Sequence, residues 1–219
     1  ILQQTRAEQG LPYYERFVAA YPDIQSLAAA PDQEVFKLWQ GLGYYSRCRN
    51  LLATARQIVA EYNGVFPDQY EQIIKLKGIG PYTAAAIASF AFGLPRPVID
   101  GNVYRVMARY FEVAEPIDST GGKKKFNELV ASVFDEQHPA AFNQAIMDLG
   151  ASVCTPKLAK CEQCFLATAC RAYNEGTVYD FPVKSKKLQV RQRYFNYFIL
   201  EVKDEIYLQQ RPAGDVWHD

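Results

Sequence analysis

Four cysteines stand in one short stretch, VCTPKLAKCEQCFLATAC, as Cys154, Cys161, Cys164 and Cys170, with six, two and five residues between them. Four thiolates on a compact loop can close around a tetrahedral zinc ion or hold a [4Fe–4S] cluster, since both take soft sulfur ligands. Zinc modules usually pair two Cys-x-x-Cys elements, and only one is present here, so the spacing alone leaves both metals open. The fifth cysteine, Cys48, lies alone in a helical stretch and reads as packing. An odd count with such clustering argues against a disulfide framework and for a reducing cytoplasmic setting.

The body that carries this loop reads as mainly α. YYERFVAAY, QEVFKLWQGL, RNLLATARQIVAEYNG, YTAAAIASFAFG, NVYRVMARYF and FNQAIMDLGA each place apolar residues three or four apart, and Gly64 and Gly93 fall where helices should stop. Residues 1–172 are expected to form this helical domain and 173–189, mixed in charge with Gly and Pro, a linker. In residues 190–219, RYFNYFILEV, a KDE turn and IYLQQRP alternate as a β-hairpin, which cannot bury its own face and is expected to begin an incomplete second domain.

With 24 basic and 24 acidic side chains the net charge is zero, so any contact with nucleic acid has to come from a local face. The longest apolar run, Ala84 to Leu94, falls short of the roughly 20 residues that span a bilayer, so no membrane partner is expected.

LKGIGPYTAAAIASF combines Lys77, Gly78, Ile79 and Gly80 with Pro81 at the start of a helix. Glycine permits a tight turn with free backbone N–H groups, and proline suits the first helical position, where no donor is required. Backbone donors at a helix N-terminus suit a phosphate, although a plain turn between helices needs no ligand. The segment before it, YEQIIKLK, is amphipathic, which makes the unit helix, hairpin, helix. Twenty residues after Gly80, PVIDGNVYRV puts Asp100 just ahead of another helix. There it can cap free N–H groups, stabilise positive charge developing on a sugar, or do both.

This hairpin, the VIDGNV segment and the unequal cysteine spacing together resemble the endonuclease III, or helix-hairpin-helix, superfamily of DNA glycosylases, and the resemblance favours iron–sulfur over zinc. Within it, LQQT, WQGLGYYSRCRNL and FNQAIMDLGASVC resemble the MutY-type A/G-specific adenine DNA glycosylases over residues 1 to about 172. The resemblance implies a [4Fe–4S] cluster on Cys154, Cys161, Cys164 and Cys170, and catalysis centred on Asp100. Asn102 would orient that carboxylate or simply occupy the first helical turn. Where the endonuclease III branch carries its Schiff-base lysine this chain has Tyr82, a phenol that cannot form an imine, so hydrolysis without a lyase step is implied. Tyr82 packing as core is the alternative.

The resemblance further implies double-stranded DNA with A:8-oxoguanine or A:G mispairs as the partner, bound by a monomer. Gln3 and the other glutamine and threonine of LQQT, Gln4 and Thr5, would lie on the DNA-facing surface with Leu42 and Tyr44. Gln4 and Tyr44 would wedge into the stack, Thr5 and Leu42 lie near the 8-oxoguanine, and Gln144 would line the adenine pocket, unless it is an ordinary exposed helix residue. Of Tyr44 and Tyr45, one is expected to be core. Lys157 and Lys160 face phosphate or solvent, and His138 and His218 read as loop residues. The C-terminal hairpin resembles the first of a Nudix-like domain. In this family the acid that protonates adenine is a glutamate three residues before the position of Leu2, so ILQQTR reads as a severed edge and the fragment is expected to lack its proton donor. Rival readings are a bifunctional pyrimidine glycosylase and lyase, against which Tyr82 speaks, and a non-enzymatic cluster-bearing DNA-binding module.

Overall fold

A computed structural model describes residues 1–185, 192, 194, 196 and 198–208 in two units, Ile1–Ser185 and Lys186–Asp219. The first unit is helical. It comprises α1 (Ala7–Ala20), α2 (Ile24–Ala29), α3 (Asp32–Trp39), α4 (Tyr45–Tyr62), α5 (Tyr70–Ile73), α6 (Pro81–Phe92), α7 (Gly101–Phe111), α8 (Thr120–Val133), α9 (Pro139–Ser152) and α10 (Arg171–Asn174).

The helices end where the sequence lets the chain turn left-handed. Asn63 (φ 53°) and Gly64 (φ 75°) close α4, with the Gly64 N–H donating to the Ile58 carbonyl at 3.0 Å, and Gly93 (φ 64°) closes α6. Two apolar clusters organise the unit. Near its start, Phe17 meets Trp39 edge to face at 5.8 Å beside buried Val35, Leu42 and Leu52, and such an aromatic pair contributes about 0.5–1.5 kcal/mol beyond its buried area. Further along, α7 lays Val103 and Met107 against Phe126 and Val130 of α8, while its other sides pack on α9 and α10. A smaller cluster of Ile73, Ala84 and Ala88 joins the two arms of the hairpin.

Three expectations change. The helix before the hairpin is only Tyr70–Ile73, after which single turns, Lys75 N–H to Gln72 and Leu76 N–H to Ile73, carry the chain into the glycines. The segment expected as a linker from 173 onward belongs to the helical unit as far as Ser185. Its apolar Val178 is buried, the Ile117 N–H donates to the Val183 carbonyl at 3.0 Å, and Ser185 donates to Asp118 Oδ1 at 2.8 Å. Charge and Gly there obscured a strap whose few apolar residues suffice to hold it. Finally, among the described residues the expected hairpin is reduced to two short strands: β1 (Glu201–Val202) pairs antiparallel with β2 (Glu205–Ile206), and Lys203 (φ 52°) with Asp204 (φ 65°) makes the turn. Positive φ at both central residues matches the right-handed twist of the flanking strands. The remainder of the expected linker, 186–189, and residues 209–219 with His218 lie outside the described residues.

Candidate active site

Asp100 is held from several sides. Its Oδ1 accepts from the backbone N–H groups of Asn102 at 2.8 Å and Val103 at 2.9 Å, capping α7, while Asn102 Nδ2 donates to Oδ2 at 2.9 Å. Asp100 thus caps α7 with both of its carboxylate oxygens engaged. Asn102 is fixed in turn, because Arg105, one turn along the same helix, donates from Nη2 to Asn102 Oδ1 at 2.8 Å and to the Gly150 carbonyl at 2.7 Å. The loop leading into Asp100 is tied down by buried Asn143 of α9, whose Oδ1 accepts from the Val98 N–H at 2.9 Å and whose Nδ2 donates to Ser89 Oγ at 2.8 Å and the Arg96 carbonyl at 2.9 Å.

Asp100 opens into a cleft that also receives Gln3, Gln4, Tyr44, Tyr82 and Tyr104. Burial, and then the charge of Asp100 beside it, push the Tyr82 phenol above its ordinary pKa, so it stands in the cleft as a neutral hydroxyl. Tyr82 is half-exposed rather than core. Thr83, next to it, accepts from Gln3 Nε2 at 3.1 Å, which brings the start of the chain against the first turn of α6. The hairpin itself is pinned to α4: Thr54 Oγ1 donates to the Lys77 carbonyl at 2.7 Å, and Gly78 (φ 72°) lies so near Asn50 that an added Cβ would stand 2.5 Å from the Asn50 side chain. That leaves Lys77 and Gly80 exposed, with Ile79 partly buried against the hairpin core.

The two loops expected to enter a duplex share an unusual backbone. Gln4 (φ 56°) and Tyr44 (φ 49°) both occupy the left-handed region, which costs a non-glycine residue of order 1–3 kcal/mol and persists only when its surroundings enforce it. Tyr44 is 66% exposed, and Tyr45, although it meets Phe36 at 6.4 Å, is itself 37% exposed, so neither is the core residue expected of the pair. Leu42 does not face the cleft. It is 6% exposed and part of the N-terminal core, because the Gly41–Gly43 turn points it inward beside Trp39. Gln144 also lies outside the cleft lining; it is exposed on α9 and donates to Asp148 Oδ1 at 2.9 Å, one turn away, while its neighbour Asn143 faces inward.

The four clustered cysteines follow α9 and end at the cap of α10. All four line a single cavity together with Arg109, Tyr173 and Val178. Arg109 is almost wholly buried and donates to the Thr155 carbonyl at 2.8 Å, the Pro156 carbonyl at 3.2 Å and Cys154 Sγ at 3.4 Å. The thiols are free, and burial pushes those of Cys161 and Cys170 up, so metal binding here must displace protons. Among the described residues no set of three or more His, Cys, Asp or Glu is placed to grip one ion. Four soft sulfurs around a shared cavity, with the Arg109 cation behind them, are donors of the kind that a thiolate-held metal or cluster takes.

A description of the HhH-GPD superfamily of base excision DNA repair proteins matches residues 1–132. The chain belongs to that superfamily. Its HhH-GPD membership places the hairpin and the Asp100 loop in a glycosylase fold. An adenine DNA glycosylase of Buchnera aphidicola subsp. Baizongia pistaciae is 36% identical over 99% of this chain and 62% of its own length. The human adenine DNA glycosylase is 43% identical over 78% of this chain and 32% of its own. Among solved structures, a thermostable thymine-DNA glycosylase superposes with a TM-score of 0.70 at 28% identity, covering 80% of each chain. The chain therefore spans less than two thirds of the length of the curated relatives it matches. Among the described residues no helix is long and apolar enough to cross a membrane.

Proposed function

We propose that this chain is the catalytic body of an adenine DNA glycosylase. In this reading the full-length protein hydrolyses the N-glycosidic bond of adenine mispaired with 8-oxoguanine or guanine and leaves an abasic site. The observation that carries the reading is Asp100, held by three N–H donors at the cleft, beside a tyrosine where a lyase would need an amine.

The target base has to leave the stack before its sugar carbon can be reached. Exposed Gln4 and Tyr44 stand at the lip to fill the space it vacates, and the donors at the start of α6 with Lys77 suit a phosphate. Protonation of the adenine ring turns it into a neutral leaving group that takes the bonding pair of electrons. The sugar becomes an oxocarbenium ion, which the Asp100 carboxylate stabilises until water adds from solvent. Asn102 and the two backbone N–H groups hold the carboxylate ready, so little reorganisation accompanies charge development. Tyr82 offers a hydroxyl to the same space and no amine for a Schiff base.

Cys154, Cys161, Cys164 and Cys170 would hold the [4Fe–4S] cluster, which supplies a fixed crosslink to the loop. Lys157 and Lys160 are exposed on that loop, where they suit backbone phosphates. A colourless, zinc-containing protein would overturn the cluster assignment, and a brown protein with iron and labile sulfide supports it. The activity is tested by single-turnover release of adenine from an A:8-oxoguanine duplex by the full-length protein. Release of an oxidised pyrimidine instead, with borohydride trapping of a protein–DNA adduct, would sink the reading.

A further inference from the structure

Arg47, on the first turn of α4, binds both loops that flank the mouth of the cleft. From one side of its guanidinium, Nη1 donates to the Ile1 carbonyl at 2.9 Å, to the Gln3 carbonyl, and to Thr5 Oγ1 at 2.8 Å. From the other, Nη2 reaches the Leu42 carbonyl at 3.3 Å and the Gly43 carbonyl at 3.4 Å. The same group lies over the rings of Trp39 at 5.3 Å and Tyr44 at 5.5 Å. Its Nε is buried without an acceptor, and burial lowers the pKa of the group, so the position carries costs that only its several bonds offset.

These contacts bracket the two strained residues. Gln4 lies between Gln3 and Thr5, both held by Nη1, and Tyr44 directly follows Leu42 and Gly43, both held by Nη2. A residue keeps a left-handed backbone only where its neighbours leave no relaxed alternative. Here those neighbours are anchored by one planar fork that spans both loops, a geometry that lysine, with a single point charge, cannot reproduce.

We infer that Arg47 is a positioning residue for base extrusion: it locks Gln4 and Tyr44 at a fixed separation so that both enter the stack together when adenine leaves it. Arg47 touches neither the sugar nor the base in this arrangement and acts through the two side chains it sets. The inference deepens the proposed function and takes from it the identity of the extruded base.

The test compares wild type, Arg47→Lys and Arg47→Gln in the full-length protein. With 2-aminopurine in place of the target adenine opposite 8-oxoguanine, wild type is expected to raise its fluorescence on binding, and both variants to lose at least half of that rise at saturating protein. In single turnover, the rate on a fully stacked A:8-oxoguanine duplex is expected to fall at least 10-fold in each variant. On a duplex whose target adenine sits in a bulge, already unstacked, the fall is expected to stay below 3-fold. Equal losses on both substrates would mark Arg47 as a general fold residue and overturn the inference, as would full fluorescence in Arg47→Gln. If wild type released no adenine from either substrate, the adenine reading would fail by itself, and the 2-aminopurine signal would still decide the role of Arg47.

Discussion

Arg105 donates from Nε to the carbonyl oxygen of Cys154 at 2.7 Å, so the helix that presents Asp100 is fastened to the first residue of the cysteine loop. The same guanidinium holds Asn102, and Asn102 holds Asp100. One turn further on, Arg109 grips the next two carbonyls of the loop. Helix α7 therefore presents the carboxylate at its N-terminus and bears the loop along its flank, and a change at the loop has a direct route of packed polar contacts to the cleft.

Replacing Arg105 by glutamine is expected to remove this link. It leaves the buried Gly150 carbonyl short of a donor and frees Asn102 to rotate, and a buried acceptor without a partner costs about 1–3 kcal/mol. Thermal unfolding should show that loss as a lowered Tm. Single-turnover release of adenine by the full-length variant should fall at least 10-fold while affinity for the duplex changes little. An unchanged rate alongside a lowered Tm would mean that Asn102 needs no such support.

Gly150→Ala tests the same helix contact from its other side. A Cβ at Gly150 would stand 2.6 Å from Asn102 Cβ and 3.1 Å from its Cα, so α7 and α9 must part for it to fit. Because the clash falls on backbone as well as side chain, no rotamer change relieves it. Overpacking of this kind typically costs about 1–3 kcal/mol, and it displaces the residue that orients Asp100. The variant is expected to lose both stability and rate, whereas Gly101→Ala, whose Cβ meets nothing within 4 Å, should not lose stability by crowding. Comparable unfolding curves for the two would refute the close-approach argument.

How legible these features were in the sequence depends on where each residue's partner lies. Asp100 and Asn102 could be picked out because their partners are near in the chain, and Tyr82 because the resemblance marks its position. Arg47, Arg105, Asn143 and Gly150 could not, since Arg47 acts on carbonyls 44 and 46 positions earlier and Asn143 on groups 45 to 54 positions away. Polar side chains on otherwise amphipathic helices look like solvated faces until the partner carbonyl is placed. Helix α8 was hidden for a local reason: its first turns, TGGKKK, have two glycines and three lysines, and only Phe126 and Val130 reveal that it is core. Leu42 runs in the opposite direction: the resemblance implied a place near the 8-oxoguanine, whereas the turn's geometry buries its side chain.

The Tyr82 phenol offers a pH test with a definite sign. Its pKa in the folded protein is raised, by burial and then by Asp100, so the native state holds that proton more tightly than the unfolded chain. The associated stabilisation is present in full below about pH 10, the ordinary tyrosine value, and is lost as the pH rises through the folded value. In a difference titration of wild type against Tyr82→Phe, the missing ionisation step is expected above pH 10. Asp100→Asn should bring the step down without returning it to the ordinary value, because burial remains. A step that stays in place in Asp100→Asn would show that the two groups do not feel each other.

On the proposed reading, adenine needs a proton in order to leave its sugar. Among the described residues lining the cleft, Asp100 is the one carboxylate, and its Oδ1 and Oδ2 are both committed to N–H donors. Both oxygens are thus engaged as acceptors, a geometry that suits the carboxylate to stabilise a cation and leaves it poorly placed as a donor to a departing base. Tyr82 is no substitute, since its raised pKa makes it a weaker acid than a free phenol. Residues 1–219 as a purified protein are therefore expected to bind a mispaired duplex and to release no measurable adenine in single turnover. A deoxyribosyl leaving group that departs as a stable anion needs no such proton, and with it the same protein is expected to show cleavage that Asp100→Asn abolishes. Measurable adenine release by residues 1–219 would mean that a proton donor operates in this cleft that its lining does not reveal.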